Sequence, residues 1–256
     1  MRSMLSACVL GIGLSGLSLS SASAEDLAIS TTVGFESRYV FRGIQFAETS
    51  FQPAINLSYG NFYGFAWANL PIGDDDLVVT PGGEELDLVA GYSAALSNFI
   101  TYDIGITYYT FPDAASGFFD VLQEDKDGLG ANTLEPYIGF SFTTLSSPKI
   151  YFYRDAYLDT FTIQATASHS VPLAEKWSVD LSGYLAHVFD DDPGGDYFYG
   201  VASANLAYAF SDDSSIYLGV RYGGSDIPGG SIIDDSIAGT TKSSGVWWGV
   251  GFASDF

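Results

Sequence analysis

The segment AISTTVGFESRYVFRG, residues 28–43, shows the pattern that decides the fold. One face of this segment carries bulky or apolar side chains: Ile29, Thr31, Val33, Phe35, Tyr39 and Phe41. The other face carries small or charged ones: Ser30, Thr32, Gly34, Glu36, Arg38 and Arg42. Alternation with a period of two predicts a β-strand whose two faces meet different surroundings.

The same alternation recurs along the chain in segments bounded by Gly, Pro, Asp or Ser. The predicted strands are 28–43, 52–60, 62–70, 84–94, 98–110, 132–145, 149–154, 159–170, 177–189, 197–210, 215–223 and 244–256. Their number, twelve, is even, and most have about the length that crosses a bilayer when tilted. The sequence therefore predicts an all-β fold, a transmembrane antiparallel β-barrel of about twelve strands.

The connections between these segments alternate in length. Short ones follow every second segment, at 60–61, 96–98, 146–148, 171–176 and 211–214. Long ones lie between them, at 71–83, 111–131 and 224–243. Short periplasmic turns and long extracellular loops are typical of outer-membrane barrels.

The composition narrows the class of protein further. The 256 residues include 31 acidic and 9 basic side chains, a net charge of −22, yet 47% are hydrophobic and 16% aromatic. Disordered chains of high charge lack such aromatic content. No apolar run long enough for a membrane helix follows residue 20. Nucleic acid is excluded as a partner because so few cations could neutralise phosphates.

A closed barrel resolves the conflict between charge and apolarity, since its outer face meets lipid while its lumen stays polar. On this strand parity the charged side chains expected to line the pore are Glu36, Arg38, Arg42, Glu85, Asp87, Asp103, Glu135, Asp180 and Arg221. Carboxylates around a pore favour cations. Alternatively, the charges pair with one another and plug the lumen.

Both chain ends carry export features. Residues 1–24 resemble a signal peptide, with Arg2, an apolar stretch and the small residues Ala22-Ser23-Ala24, and 25–256 then forms one barrel domain. The last segment alternates up to Phe252 and Phe256. A terminal aromatic of this kind is similar to the signal read by the barrel assembly machinery. We therefore expect a bacterial outer-membrane location, with lipid and lipopolysaccharide as neighbours.

Part of the chain resembles a known family. The stretch ESRYVFRGI (residues 36–44) is similar to the opening motif of the TorF-type porin family, and GFAWAN (residues 64–69) and ELDLVAGY (residues 85–92) resemble blocks that follow it. The likeness covers about residues 33–112. It implies a porin-like outer-membrane barrel and leaves the cargo undefined.

The remaining acids cluster in the connections, at 74–76, 124–127, 190–192, 196 and 234–235. These acidic side chains are either solvated in the loops or serve as oxygen ligands for divalent cations. His169 and His187 suggest no enzyme, because neither G-x-S-x-G nor H-E-x-x-H occurs. No cofactor and no dedicated metal site are expected.

Two functions fit these features. One is a channel for passive diffusion of small polar solutes or ions, with a weak preference for cations. The alternative is a non-conducting structural or adhesive barrel that binds partners or divalent cations through its acidic loops. The sequence leaves open the solute, the oligomeric state, and whether salt bridges or loop 111–131 fill the lumen.

Overall fold

The computed structural model describes residues 27–72, 84–112, 117–119, 132–190, 195–237 and 239–256. Within these ranges no helix is long and apolar enough to cross a membrane. The predicted signal peptide and the acidic groups at 74–76, 124–127 and 191–192 lie outside the described residues.

Twelve strands form one closed barrel in which every neighbouring pair is antiparallel. They are β1 (Ala28–Glu36), β4 (Ser50–Tyr59), β5 (Phe62–Pro71), β6 (Glu85–Ala95), β7 (Ile100–Thr110), β8 (Thr133–Phe142), β9 (Lys149–Arg154), β10 (Phe161–Ala174), β11 (Trp177–Phe189), β12 (Tyr197–Ala209), β13 (Ser214–Ser225) and β16 (Ser244–Asp255). Four short strands lie apart from this wall: β2 (Tyr39–Phe41), β3 (Ile44–Ala47), β14 (Ile232–Ile233) and β15 (Thr241–Lys242). The wall closes where β1 pairs with β16 on one side and with β4 on the other.

The prediction of a twelve-stranded antiparallel barrel is confirmed. The strand predicted at 149–154 has the same bounds in the structure, as β9. The connections also alternate in length. At the end of the barrel that holds both described termini they span 60–61, 96–99, 143–148, 175–176 and 210–213, and at the other end they span 37–49, 72–84, 111–132, 155–160, 190–196 and 226–243. We refer to these ends as the turn end and the loop end.

One predicted strand is wrong in its second half. The segment 28–43 leaves the wall after Glu36, where the N–H of Ser37 donates to the carbonyl oxygen of Trp248 at 2.9 Å. The chain then turns back at Arg42 and Gly43, whose φ angles of 48° and 78° are those of a two-residue hairpin turn. Tyr39, placed by alternation on the lipid face, is instead only 1% exposed inside the barrel.

The two faces of the wall differ as the alternation predicts. Exposed apolar side chains cover the outside, among them Ile55, Leu57, Ile104, Ile106, Leu181, Leu185, Leu218, Val220, Trp248 and Val250. Inward positions hold most of the buried polar and charged groups. A continuous apolar exterior of this extent is typical of a surface that faces lipid.

Candidate functional site

The lumen at the loop end is crossed by a hairpin, which we call the lumenal hairpin (residues 37–49, with β2 and β3). At its tip the Arg42 guanidinium donates to the carboxylate of Glu135 on β8. Gly43 lies against the opposite side, where an added Cβ would come within 2.6 Å of Tyr199 Cβ on β12. The tip therefore reaches both sides of the barrel, and only glycine fits at its second turn position.

Aromatic side chains pack the lumenal hairpin against the wall. The Tyr39 ring lies 5.4 Å from the Trp67 ring, and its hydroxyl donates to Glu85 Oε2 at 2.5 Å. The Phe41 ring lies 5.9 Å from that of Tyr109. These contacts bury the hairpin among strands β5 to β7.

A second hairpin covers the first from the loop end. We call residues 231–237 and 239–242, with β14 and β15, the outer hairpin. The N–H of Gln45 donates to the Ser231 carbonyl oxygen at 2.9 Å, and the Gln45 side chain accepts from the N–H of Ile233 at 3.1 Å. Ile232 is fully buried against Val40 and Trp247.

The nine predicted pore-lining residues all lie inside the barrel, but in separate groups. Arg221 joins Glu36, at 3.0 Å, to Asn205, at 2.7 Å. Glu85 and Asp87 lie one pleat apart on β6 below Tyr39.

The other predicted residues have different partners. Asp180 accepts from Ser170 at 2.5 Å. Arg38 and Arg42 belong to the lumenal hairpin rather than to the wall, and Arg38 donates to the Ile233 carbonyl oxygen at 2.9 Å and to Asp235. Whether any of these side chains lines a conducting path stays a prediction.

Asp103 is held by tyrosines, an arrangement that strand parity alone did not predict. It accepts hydrogen bonds from the hydroxyls of Tyr63 and Tyr151, each at 2.7 Å, while Tyr63 also bonds to Tyr137. We call these residues the tyrosine cluster. Its members satisfy a carboxylate that is only 6% exposed.

Inward-facing glycines make room for these tyrosines. Tyr137 pairs with Gly105 across β7 and β8, and a Cβ at Gly105 would lie 2.3 Å from the Tyr137 hydroxyl. Tyr63 lies in the same way over Gly91, its cross-strand partner. The signal that could have revealed the cluster is this pairing of tyrosine with glycine, which becomes visible only once strand register is known.

Metal binding can be assessed for the described residues alone. Within the described residues, no group of three His, Cys, Asp or Glu side chains is placed to hold one. Two of the predicted acidic clusters are described in part. The backbone N–H of Asp190 donates to Asp196 Oδ1 at 2.9 Å, and Asp234 Oδ1 lies 3.7 Å from Lys242 Nζ.

The two histidines serve local packing. A ring nitrogen of His169 lies 2.9 Å from the Leu145 carbonyl oxygen. The His187 ring packs between the rings of Phe189 and Phe198, at 4.2 and 4.1 Å.

The fold and its lumen define a class of protein, the closed twelve-stranded barrel with a polar, partly filled interior. Residues 20–169 match the model of the Gcw_chp family, described as bacterial proteins of unknown function. Because this match spans more than half of the 256 residues, the chain belongs to the Gcw_chp family. No curated protein sequence matches the chain significantly.

Solved structures confirm the architecture. The NanC porin superimposes with a TM-score of 0.53 at 10% identity, over 88% of this chain and 98% of that one. The KdgM porin, solved in complex with disordered oligogalacturonate, gives a TM-score of 0.52 at 10% identity, over 90% and 99% of the two chains. Likeness at this level of identity shows a shared fold.

Proposed function

We propose that this protein is an outer-membrane channel of the porin type, through which small polar solutes diffuse passively. One observation carries the proposal: a closed barrel with an apolar exterior encloses an interior of buried carboxylates, arginines and amides. A soluble protein has no use for an apolar outer face, whereas a barrel that spans a membrane requires one.

The location follows from the same features. In lipid every backbone group must be paired within the protein, and the β1–β16 contact leaves the wall without an edge. The predicted signal peptide at 1–24 and the terminal Phe252 and Phe256 support export and insertion by the barrel assembly machinery. The resemblance to the TorF-type porins and the shared fold of the KdgM and NanC porins agree with this assignment.

The interior charges support a weak preference for cations. The buried carboxyl groups are Glu36, Glu85, Asp87, Asp103, Glu135, Asp155 and Asp180. In the part of the chain that the structure describes, arginine side chains pair with Glu36, through Arg221, and with Glu135, through Arg42. Carboxylates in excess over guanidinium groups attract cations into a narrow lumen.

Planar-bilayer recording of the refolded barrel tests both parts of the proposal. We expect discrete conductance steps in symmetric salt and a reversal potential in a salt gradient whose sign favours cations. Asp103→Asn and Asp180→Asn should move that potential toward zero. Asp212→Asn, in an exposed turn, is the matched control and should leave it unchanged. A reversal potential that favours anions would overturn the cation preference.

The second candidate function is a non-conducting barrel that binds partners or divalent cations through its acidic loops. The lumenal hairpin favours it, since the loop end of the lumen is filled by Tyr39, Phe41 and Arg42. An absence of conductance in the planar bilayer, both for the whole protein and for a barrel without the lumenal hairpin, would support this alternative.

A further inference from the structure

We infer that the lumenal hairpin is the gate of this barrel and that the outer hairpin is the latch that keeps the gate closed. The inference rests on the proposed channel function and adds its regulation. It starts from the position of the hairpin, whose tip touches Glu135 on β8 and Tyr199 on β12 across the lumen. A solute entering from the loop end meets this hairpin directly beneath the outer hairpin.

The lumenal hairpin is attached to the wall in a way that permits it to move. In the described part of the chain, residues 39–47 make their backbone hydrogen bonds within the hairpin or with the outer hairpin. Among the described residues, only the two ends are tied to the backbone of wall strands or their flanks, at Ser37 with Trp248 and at Thr49 with Ile72. The hairpin therefore swings out without breaking a single ladder bond of the barrel.

Side chains hold the gate closed from within. They are the buried Arg42–Glu135 ion pair, the Tyr39–Glu85 hydrogen bond, and the contacts of Tyr39 with Trp67. Such contacts are specific enough to select one closed position. They are also few enough to be replaced by water when the hairpin leaves.

The outer hairpin adds the second set of contacts. Gln45 is bonded through both its backbone and its side chain to Ser231 and Ile233, and Arg38 reaches Asp235. The Asp235 side chain is 68% exposed, so this contact lies at the surface of the loop end. Displacement of the outer hairpin from outside the cell removes these contacts together and frees the gate.

A reversible cross-link tests the gate directly. Val40 and Ile232 lie in one buried cluster with Trp247, one on each hairpin, and the chain's single Cys is Cys8 of the predicted signal peptide. In Val40→Cys/Ile232→Cys, a disulfide fastens gate to latch. We expect at least a tenfold fall in open probability after oxidation and recovery after reduction, with both single-cysteine variants indifferent to redox state.

Weakening the latch tests the other direction. Asp235→Asn removes the charge that meets Arg38, and we expect the open probability to rise severalfold while the conductance of the open state stays the same. Asp159→Asn is the matched control, because Asp159 also forms an exposed ion pair at the loop end, with Arg154, and does not touch the lumenal hairpin. Equal behaviour of the two variants would overturn the role of the latch.

A barrel in which a short Gly-Ser linker replaces residues 38–48 separates this inference from the channel function. If neither it nor the whole protein conducts, the channel function fails. If the whole protein conducts, and neither the oxidised double-cysteine variant nor the linker variant differs from it, the inference of a gate is wrong and the proposed channel function is retained. A silent or rarely open whole protein with a steadily conducting linker variant supports both.

Discussion

Arg42 brings together the features that distinguish this lumen. Its backbone has a positive φ of 48°, a conformation that arginine rarely adopts. Its guanidinium bonds to Glu135 and lies 5.1 Å from the Phe41 ring centroid and 5.7 Å from that of Tyr153. A single side chain thus contributes charge, hydrogen bonding and stacking where the hairpin meets the far wall.

Removal of this side chain leaves a buried carboxylate without its cation. We expect Arg42→Gln to lower the free energy of unfolding in lipid vesicles by about 3 kcal/mol, the size expected when a buried ion pair loses one partner. Urea titration followed by Trp fluorescence measures this. Arg154→Gln breaks an exposed pair and should cost less than about 1 kcal/mol. An equal loss in both variants would contradict a special role for Arg42.

Gly105 is the second residue whose identity the structure explains. A Cβ there would come within 2.3 Å of the Tyr137 hydroxyl and 2.8 Å of the Ala90 carbonyl oxygen. We expect Gly105→Ala to cost about 1–3 kcal/mol, because both the ring and the backbone must shift. Gly64→Ala, with its nearest neighbour at 3.7 Å, should be close to neutral in the same urea titration. If Gly105→Ala leaves the free energy of unfolding unchanged, the tyrosine cluster rearranges at little cost.

At the scale of elements, the sequence predicts the wall well and the lumenal hairpin not at all. Alternation reveals that a segment has two unlike faces, and this suffices for strands such as β11, whose bounds are those predicted. Residues 37–43 alternate too, because a hairpin inside a barrel also has two faces, one toward each side of the lumen. Alternation therefore predicts that Tyr39 faces lipid, whereas its ring packs on that of Trp67 inside the barrel.

The candidate site was likewise predictable only in part. Strand parity places Glu85, Asp87 and Asp103 on the inside, because this information is local. Their partners are not local: Asp103 meets tyrosines 40 and 48 residues away. Such contacts depend on register and on closure of the barrel, which a pattern of period two does not contain.

The last strand carries a prediction of its own. Phe256 is 78% exposed, and its N–H donates to the Ile29 carbonyl oxygen at 2.9 Å. Deletion of Phe256 should therefore reduce the amount of barrel assembled in cells severalfold, while barrels that do assemble keep nearly the stability of the parent. Immunoblots of outer-membrane fractions measure the first effect, and urea titration measures the second. Unchanged assembly would remove Phe256 as a recognition signal.

At the scale of the whole molecule, closure of the wall predicts behaviour in electrophoresis. Each strand is hydrogen-bonded on both sides, so dodecyl sulfate finds no edge at which to begin unfolding. The unboiled protein should therefore migrate faster than the boiled protein. Identical migration of the two samples would contradict a closed barrel.

The seam between β1 and β16 also sets the order of events in folding. It joins the two ends of the chain, with Trp248 bonded to Ser37 across 211 residues of sequence. Closing so long a loop is entropically slow, and the seam should be among the last contacts to form. Because Trp247 on the same strand packs against Val40 and Ile232, both hairpins dock as the seam closes. The closing of the seam is thus also the step that fills the lumen, and a barrel caught before it would be open both along its side and through its centre.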